Sequence, residues 1–113
     1  MERLHPGLTI RFFTSEKCFG PGVAALLDGV RETHSLRGAA AEMGMAYSQA
    51  WTILKTAEKE LGFPLTQTAA GGRSGGGSTL TPEGESLLAR YRAYCKKINA
   101  YASDLFAETF PEF

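Results

Sequence analysis

The stretch "SLRGAAAEMGMAYSQAWTILKTAEKELG", residues 35–62, most constrains the fold of this chain. Small or apolar residues recur in it at Ala39, Ala40, Met43, Met45, Ala50 and Ile53. Small side chains let two helices cross closely, and Gly44 tolerates the positive φ of a tight turn between them. Ser35 can cap the first helix, and Gly62 can end the second. The stretch therefore predicts a helix-turn-helix over residues 36–61.

The second helix of this pair is predicted to be polar on one side. At about 100° per residue, its polar face carries Ser48, Thr52, Lys55 and Lys59, flanked by Gln49 and Thr56. The opposite side carries Ala50, Ile53, Leu54, Ala57 and Leu61, and the acids Glu58 and Glu60 lie off the polar face. Such a face suits a helix in the major groove, where hydroxyls and amides reach bases and ammonium groups reach phosphates. A solvated face with no ligand is the alternative.

Trp51 lies between the polar and apolar faces of the predicted helix. We expect its indole to pack across the helix pair. Contact with a sugar, a phosphate or a thymine methyl group is the second possibility.

The remaining patterns predict a strand, three helices, a hairpin and a long last helix. Alternating side chains in "GLTIRFFT", residues 7–14, favour a short strand, and the apolar spacing from Val23 to Val30 favours an amphipathic helix. Strand-like pieces flank the glycines of residues 65–80. Thr81 then caps a helix over residues 82–106, with proline at its first position.

The glycine-rich run "TAAGGRSGGGSTLTPEG", residues 68–84, fits a hairpin wing best. The wing glycines are Gly71, Gly72, Gly75, Gly76 and Gly77. A P-loop phosphate cradle requires a lysine where Gly77 stands, and a flexible linker fits poorly between strand-like flanks. Arg73 at the tip suits a narrow minor groove or a row of phosphates. A tip that contacts nothing is the alternative.

The last predicted helix carries a coiled-coil repeat. Its seam consists of Leu87, Tyr91, Tyr94, Ile98, Tyr101 and Leu105. A helix of this length spans roughly 37 Å, more than a small helical core covers. The seam therefore predicts a homodimer about a two-fold axis. Alternatively, the C-terminal phenylalanines from Phe106 onward fold this end back onto the same chain.

Composition narrows the function classes. The 113 residues are predicted to form one domain, residues 1–113, in which 12 basic and 12 acidic residues balance. Cys18 and Cys95 are expected to be reduced thiols of a cytoplasmic protein. His5 and His34 lack partners at ligand spacing, so we predict no metal and no cofactor. No catalytic constellation, small-molecule site, signal peptide or membrane segment is evident.

The segments "SLRGAAAEMGMAYSQAW", "ELGFPL", "GGRSGGG" and "LTPEGESLL" together resemble the N-terminal DNA-binding domain of ModE-type molybdate-responsive regulators. More loosely, they resemble the winged helix-turn-helix of LysR-type regulators. The resemblance covers roughly residues 8–106. It implies a bacterial transcription factor, dimeric through its first and last helices, with recognition positions at Tyr47, Ser48, Gln49 and Thr52. The molybdate-binding C-terminal domain of the ModE type has no counterpart in these residues, so that function is not carried over.

The sequence thus predicts a mainly α winged helix-turn-helix with a small β wing and a long C-terminal dimerisation helix. We expect a stand-alone regulator that binds double-stranded DNA in a sequence-specific manner. The predicted DNA-binding residues are Arg37, Tyr47, Ser48, Gln49, Thr52, Lys55, Lys59 and Arg73. A winged-helix module that binds another protein through the same face is the alternative.

Overall fold

The structure, a computed structural model, describes residues 2–68 and 77–113. Within these residues the chain forms two short antiparallel hairpins and four helices. The elements are β1 (Phe12–Phe13), β2 (Lys17–Phe19), α1 (Pro21–Thr33), α2 (Leu36–Glu42), α3 (Tyr47–Leu61), β3 (Thr66–Thr68), β4 (Ser78–Leu80) and α4 (Pro82–Thr109). This order is the predicted winged helix-turn-helix with a long last helix. None of the described helices is long and apolar enough to cross a membrane.

The helix boundaries follow the capping residues. Ser35 accepts a hydrogen bond from the backbone N–H of Gly38 at 2.8 Å, and so begins α2. Thr81 begins α4 in the same way. Gly44 and Gly62 both adopt positive φ, of 68° and 86°, in the turn after α2 and at the end of α3. All four residues act as the sequence predicts.

The core forms where α1 meets the helix-turn-helix. Its largest fully buried side chains are Phe19, Leu26, Leu27, Val30, Leu54, Leu65 and Leu88. Ala39 and Ala40 are buried where α2 crosses α1, and a Cβ added to Gly29 would lie 2.7 Å from the Cβ of Ala39. The two helices therefore approach so closely that only a hydrogen fits at position 29.

The first hairpin differs from the predicted single strand. The strand expected over residues 7–14 is limited to Phe12–Phe13, and its partner β2 lies in a segment that the sequence analysis did not assign to a strand. The ring of Phe12 contacts those of Phe19 and Tyr91, with centroids 6.5 and 5.4 Å away. These long-range aromatic contacts hold the short pair in place, which local alternation cannot show.

An extended segment before β1 runs along α4. Tyr91 donates a hydrogen bond through its hydroxyl to the carbonyl oxygen of Ile10 at 2.7 Å, and Arg3 donates to the carbonyl oxygen of Phe113 at 3.1 Å. These two bonds tie one end of residues 3–10 to α4 and the other end to the last residue of the chain, just after α4. Burial raises the pKa of the Tyr91 phenol, so the hydroxyl stays protonated and keeps its donor role.

The long helix extends beyond the core. Its buried residues, Gly84, Leu88 and Tyr91, all lie in its first ten positions. The radius of gyration is 17.1 Å and the longest dimension 60 Å, whereas a compact domain of this length has a radius near ~13 Å. The helix continues to Thr109, three residues past the predicted end at Phe106, and its C-terminal end meets the N-terminal segment at the Arg3–Phe113 bond and not the core.

Part of the predicted dimer seam is buried by other residues of the same chain. Tyr91, assigned to the dimer interface, is 3% exposed and packs on Phe12 and Phe19, so this assignment is wrong. The heptad repeat places Tyr91 on the seam, but the first hairpin occupies that side of the helix. Leu87 and Ile98 are half-buried, whereas Tyr94, Tyr101 and Leu105 are exposed by 47% or more.

We expect Gly29→Ala to lower the free energy of unfolding by about 1–3 kcal/mol, because the added methyl group overpacks the α1–α2 crossing. Thermal denaturation measures the effect. The matched control is Gly22→Ala in the same helix, where the new Cβ meets nothing within 4 Å. Its effect should be within about 1 kcal/mol and of stabilising sign. Equal melting temperatures for the two variants would contradict the close crossing.

Candidate nucleic-acid interface

Helix α3 separates its polar and apolar residues as the sequence predicts. Ala50, Leu54 and Ala57 are buried against α1 and α2. The predicted polar positions Ser48, Gln49, Thr52, Lys55 and Lys59 are all exposed on the other side. The structure thus brings the five together on one accessible face, which carries two ammonium groups, an amide and two hydroxyls.

The hydroxyl group of Thr52 already has a partner inside the helix. It donates a hydrogen bond to the carbonyl oxygen of Ser48 at 3.0 Å. With its proton used in this way, the oxygen can accept a hydrogen bond but not donate one. In the major groove the amino groups of adenine and cytosine are the donors that such an oxygen can meet.

Arg37 and Tyr47 form one unit at the start of α3. The guanidinium of Arg37, on α2, lies 4.3 Å from the centroid of the Tyr47 ring. Both residues are exposed, and this cation–π contact joins the two helices at the surface. The contact holds Arg37 next to the first residues of the polar face.

Trp51 does not pack across the helix pair, so the expected role is wrong. Its side chain is 47% exposed, and the Nζ of Lys55 lies 5.9 Å from its ring centroid. Ala40 and Ala50 are buried at the crossing, and helices that pack on alanine leave no space for an indole. Trp51 therefore lies beside the polar face, available to a ligand.

Glu58 has a role that the sequence analysis missed. One oxygen accepts hydrogen bonds from the backbone N–H groups of Leu65 and Thr66, at 2.7 and 3.3 Å, and the other pairs with Lys55 at 3.2 Å. The carboxylate fixes the start of the wing to the recognition helix. The available signal was its position off the polar face, eight residues before the strand β3.

The wing consists of β3 and β4, paired antiparallel from Thr66 opposite Leu80 to Thr68 opposite Ser78. The backbone N–H of Ser78 donates to the carbonyl oxygen of His34 at 2.7 Å, which ties the wing to the end of α1. Gly77 lies just before β4 and is half-buried. The remaining predicted wing residues, Gly71, Gly72, Arg73, Gly75 and Gly76, lie outside the described residues.

The family model for bacterial regulatory helix-turn-helix proteins of the lysR family matches residues 24–85, more than half of the chain. The chain belongs to this family. The matched region runs from α1 through α2, α3 and the wing to the start of α4, so it contains the whole interface described above. Family membership identifies α2 and α3 as a regulatory helix-turn-helix, with α3 as its second, recognition helix.

Several curated proteins are similar to this LysR-family chain. The molybdenum-pterin-binding protein MopB of Rhodobacter capsulatus is 42% identical over 69 residues, which cover 61% of this chain and 26% of MopB. The molybdenum transport protein ModE of Herbaspirillum seropedicae is 41% identical over 68 residues, 60% of this chain and 25% of that protein. The transcriptional regulator ModE of Haemophilus influenzae is 34% identical over 71 residues, 63% and 28% of the two chains. The predicted resemblance to ModE-type regulators is confirmed, and the alignments span about a quarter of the relatives' length.

We expect Glu58→Ala to destabilise the fold by about 1–3 kcal/mol, because two backbone donors lose a charged acceptor. Chemical denaturation measures the loss. The matched variant Lys55→Ala removes the ion pair but leaves both backbone hydrogen bonds to Glu58, so it should cost less than Glu58→Ala. If the two variants were equally stable, the carboxylate would not be holding the wing.

Proposed function

We propose that this chain binds double-stranded DNA in a sequence-specific manner and acts as a transcriptional regulator. The observation that carries the proposal is the exposed polar face of α3, set on a regulatory helix-turn-helix and flanked by a wing. The name of the Haemophilus influenzae relative, a transcriptional regulator, supports the same function. We further propose that these 113 residues bind DNA without an effector domain, which a binding assay on this chain alone tests.

Each residue of the face has a proposed role that follows from its chemistry. Gln49 offers an amide that suits the paired donor and acceptor of adenine, and Thr52 offers an acceptor for a base amino group. Ser48 can either donate or accept. Lys59 binds a phosphate, and Lys55, whose side chain is 49% exposed, does so by exchanging its pair with Glu58.

The proposed contacts beyond α3 belong to the backbone of the DNA. Arg37 and Tyr47 lie at the start of the recognition helix, where a guanidinium and a phenol meet phosphates at the groove edge. The wing glycines and Arg73 are proposed to approach the neighbouring minor groove or phosphate row.

We also propose that the regulator acts as a homodimer through α4. Tyr101 and Leu105 are 68% and 47% exposed on the part of the helix that projects from the core, and Tyr94, whose ring also contacts Phe12 at 5.5 Å, is still 49% exposed. Burying such side chains stabilises an assembly, since each contributes roughly 1.5–3 kcal/mol when fully covered. A second copy about a two-fold axis would present two recognition helices to half-sites of a palindromic operator.

Selection of bound duplexes from a random pool supplies the operator for the first test. On this operator, Gln49→Ala should weaken binding by about 1–3 kcal/mol and relax the preference at one base position of each half-site. Lys59→Ala is the matched control, because it should weaken binding to all duplexes alike and flatten the salt dependence. An unchanged preference in the Gln49 variant would remove α3 as the reading helix. Affinity that is independent of salt would favour a protein-binding module.

Sedimentation tests the dimer. We expect the unmutated chain to be dimeric at tens of micromolar and the double variant Tyr101→Glu with Leu105→Glu to be monomeric, because buried glutamates at the interface lack partners. Both residues are exposed in the single chain, so the variant should keep its helical circular dichroism. Its affinity for a full operator should fall towards that for a half-site. A monomeric unmutated chain would exclude this assembly.

A further inference from the structure

A cleft of about 430 Å³ lies between the first hairpin, the start of α1 and the recognition helix. The sequence analysis gave no sign of this cleft. Its walls include Arg11, the residue before β1, Lys17, the first residue of β2, and the side of α3 that carries Thr52, Ile53 and Thr56. Thr52 also belongs to the proposed base-reading face. The cleft therefore adjoins the surface at which α3 would meet a duplex.

The two basic side chains are available to an anion. Both are exposed, and neither pairs with a carboxylate within 4 Å among the described residues. Arg11 packs beside Gly20, the residue before α1. A Cβ added to Gly20 would lie 3.1 Å from the Cγ of Arg11. The acid on this flank of α3, Glu60, accepts hydrogen bonds from Thr14 and Ser15, at 2.9 and 3.2 Å, in the turn of the hairpin. Glu16 is the one acid within the hairpin.

The hairpin and the wing lie on opposite sides of α3. Thr56 faces the cleft, and Glu58 binds the start of the wing. These two positions are about 160° apart around a helix with 100° per residue. A helix that lies in the major groove has a row of phosphates on each side, and basic residues beside the helix contact those rows.

We propose that the β1–β2 hairpin is a second DNA-contacting element, in which Arg11 and Lys17 bind a backbone phosphate across the groove from the wing. This inference rests on the proposed function, because it places α3 in the groove. The cleft receives the phosphate, and Thr56 lies on its wall as a neutral hydrogen-bonding group. The contact adds affinity and fixes the register of α3 without reading a base.

The salt dependence of operator binding tests the hairpin contact. Arg11→Gln with Lys17→Gln removes both charges while keeping a polar side chain and the first two methylenes of each stem. Each lost phosphate contact should reduce the slope of log affinity against log salt by about 0.9. Because the two side chains share one phosphate, we expect the double variant to lose about one unit of slope and about tenfold in affinity at low salt. The melting temperature should not change.

Lys96→Gln is the matched control, since Lys96 is exposed on α4 about 21 Å along the helix from Pro82. It should leave the slope unchanged. If the unmutated chain binds with a steep slope and the double variant has the same slope, the hairpin contact is excluded while the proposed function stands. If the unmutated chain does not bind DNA at all, both are excluded.

A titration with inorganic phosphate separates a DNA contact from a small-anion site. Under the proposal, phosphate at millimolar concentration gives no saturable calorimetric signal, because one phosphate alone lacks the rest of the duplex. A saturable signal that disappears in the double variant, together with an unchanged DNA slope, would assign the cleft to a free oxyanion and overturn the proposal.

Discussion

The arrangement of α3 relative to the projecting helix α4 depends on a close contact between Leu65 and the start of α4. A Cβ added to Gly84 would lie 2.2 Å from the carbonyl oxygen of Leu65, so the helix can begin here only with glycine at this position. Thr81 completes the junction. Its N–H donates to the Leu65 oxygen at 3.0 Å, and its hydroxyl donates to the Pro64 oxygen at 2.7 Å while accepting from Gly84.

This junction brings the start of α4 against a residue that lies close to the end of α3 in the chain. Leu65 follows the end of α3 at Gly62 by three residues, and its own N–H is held by Glu58 from inside α3. The direction of the recognition helix relative to the long helix is therefore fixed by local hydrogen bonds and not by a flexible linker. In a two-fold dimer through α4, the separation of the two recognition helices would follow from the same contact.

Features encoded by a few neighbouring residues could be predicted from the sequence, and features made by distant residues could not. The caps at Ser35 and Thr81 and the turn at Gly44 depend on local backbone chemistry, and all three were predicted. The first hairpin depends on rings separated by some eighty residues, and periodicity carries no record of such contacts. Trp51 was misassigned because a helical wheel gives its direction but not the space left by the alanines at the crossing.

Net charge says little about whether this chain binds DNA, because its charges are unevenly distributed. Asp28 and Glu85 both form ion pairs with Arg31, so their negative charges are balanced where α1 meets α4. The Glu58 carboxylate accepts a hydrogen bond from the backbone N–H of Leu65 at the start of the wing. Lys59 has no carboxylate within 4 Å among the described residues and lies on the exposed face of α3. A duplex meets only the face that it touches, and the counterions it releases depend on the phosphates contacted there. A neutral chain that pairs its acids elsewhere can therefore present a basic surface to DNA and still avoid the indiscriminate binding of a uniformly basic protein.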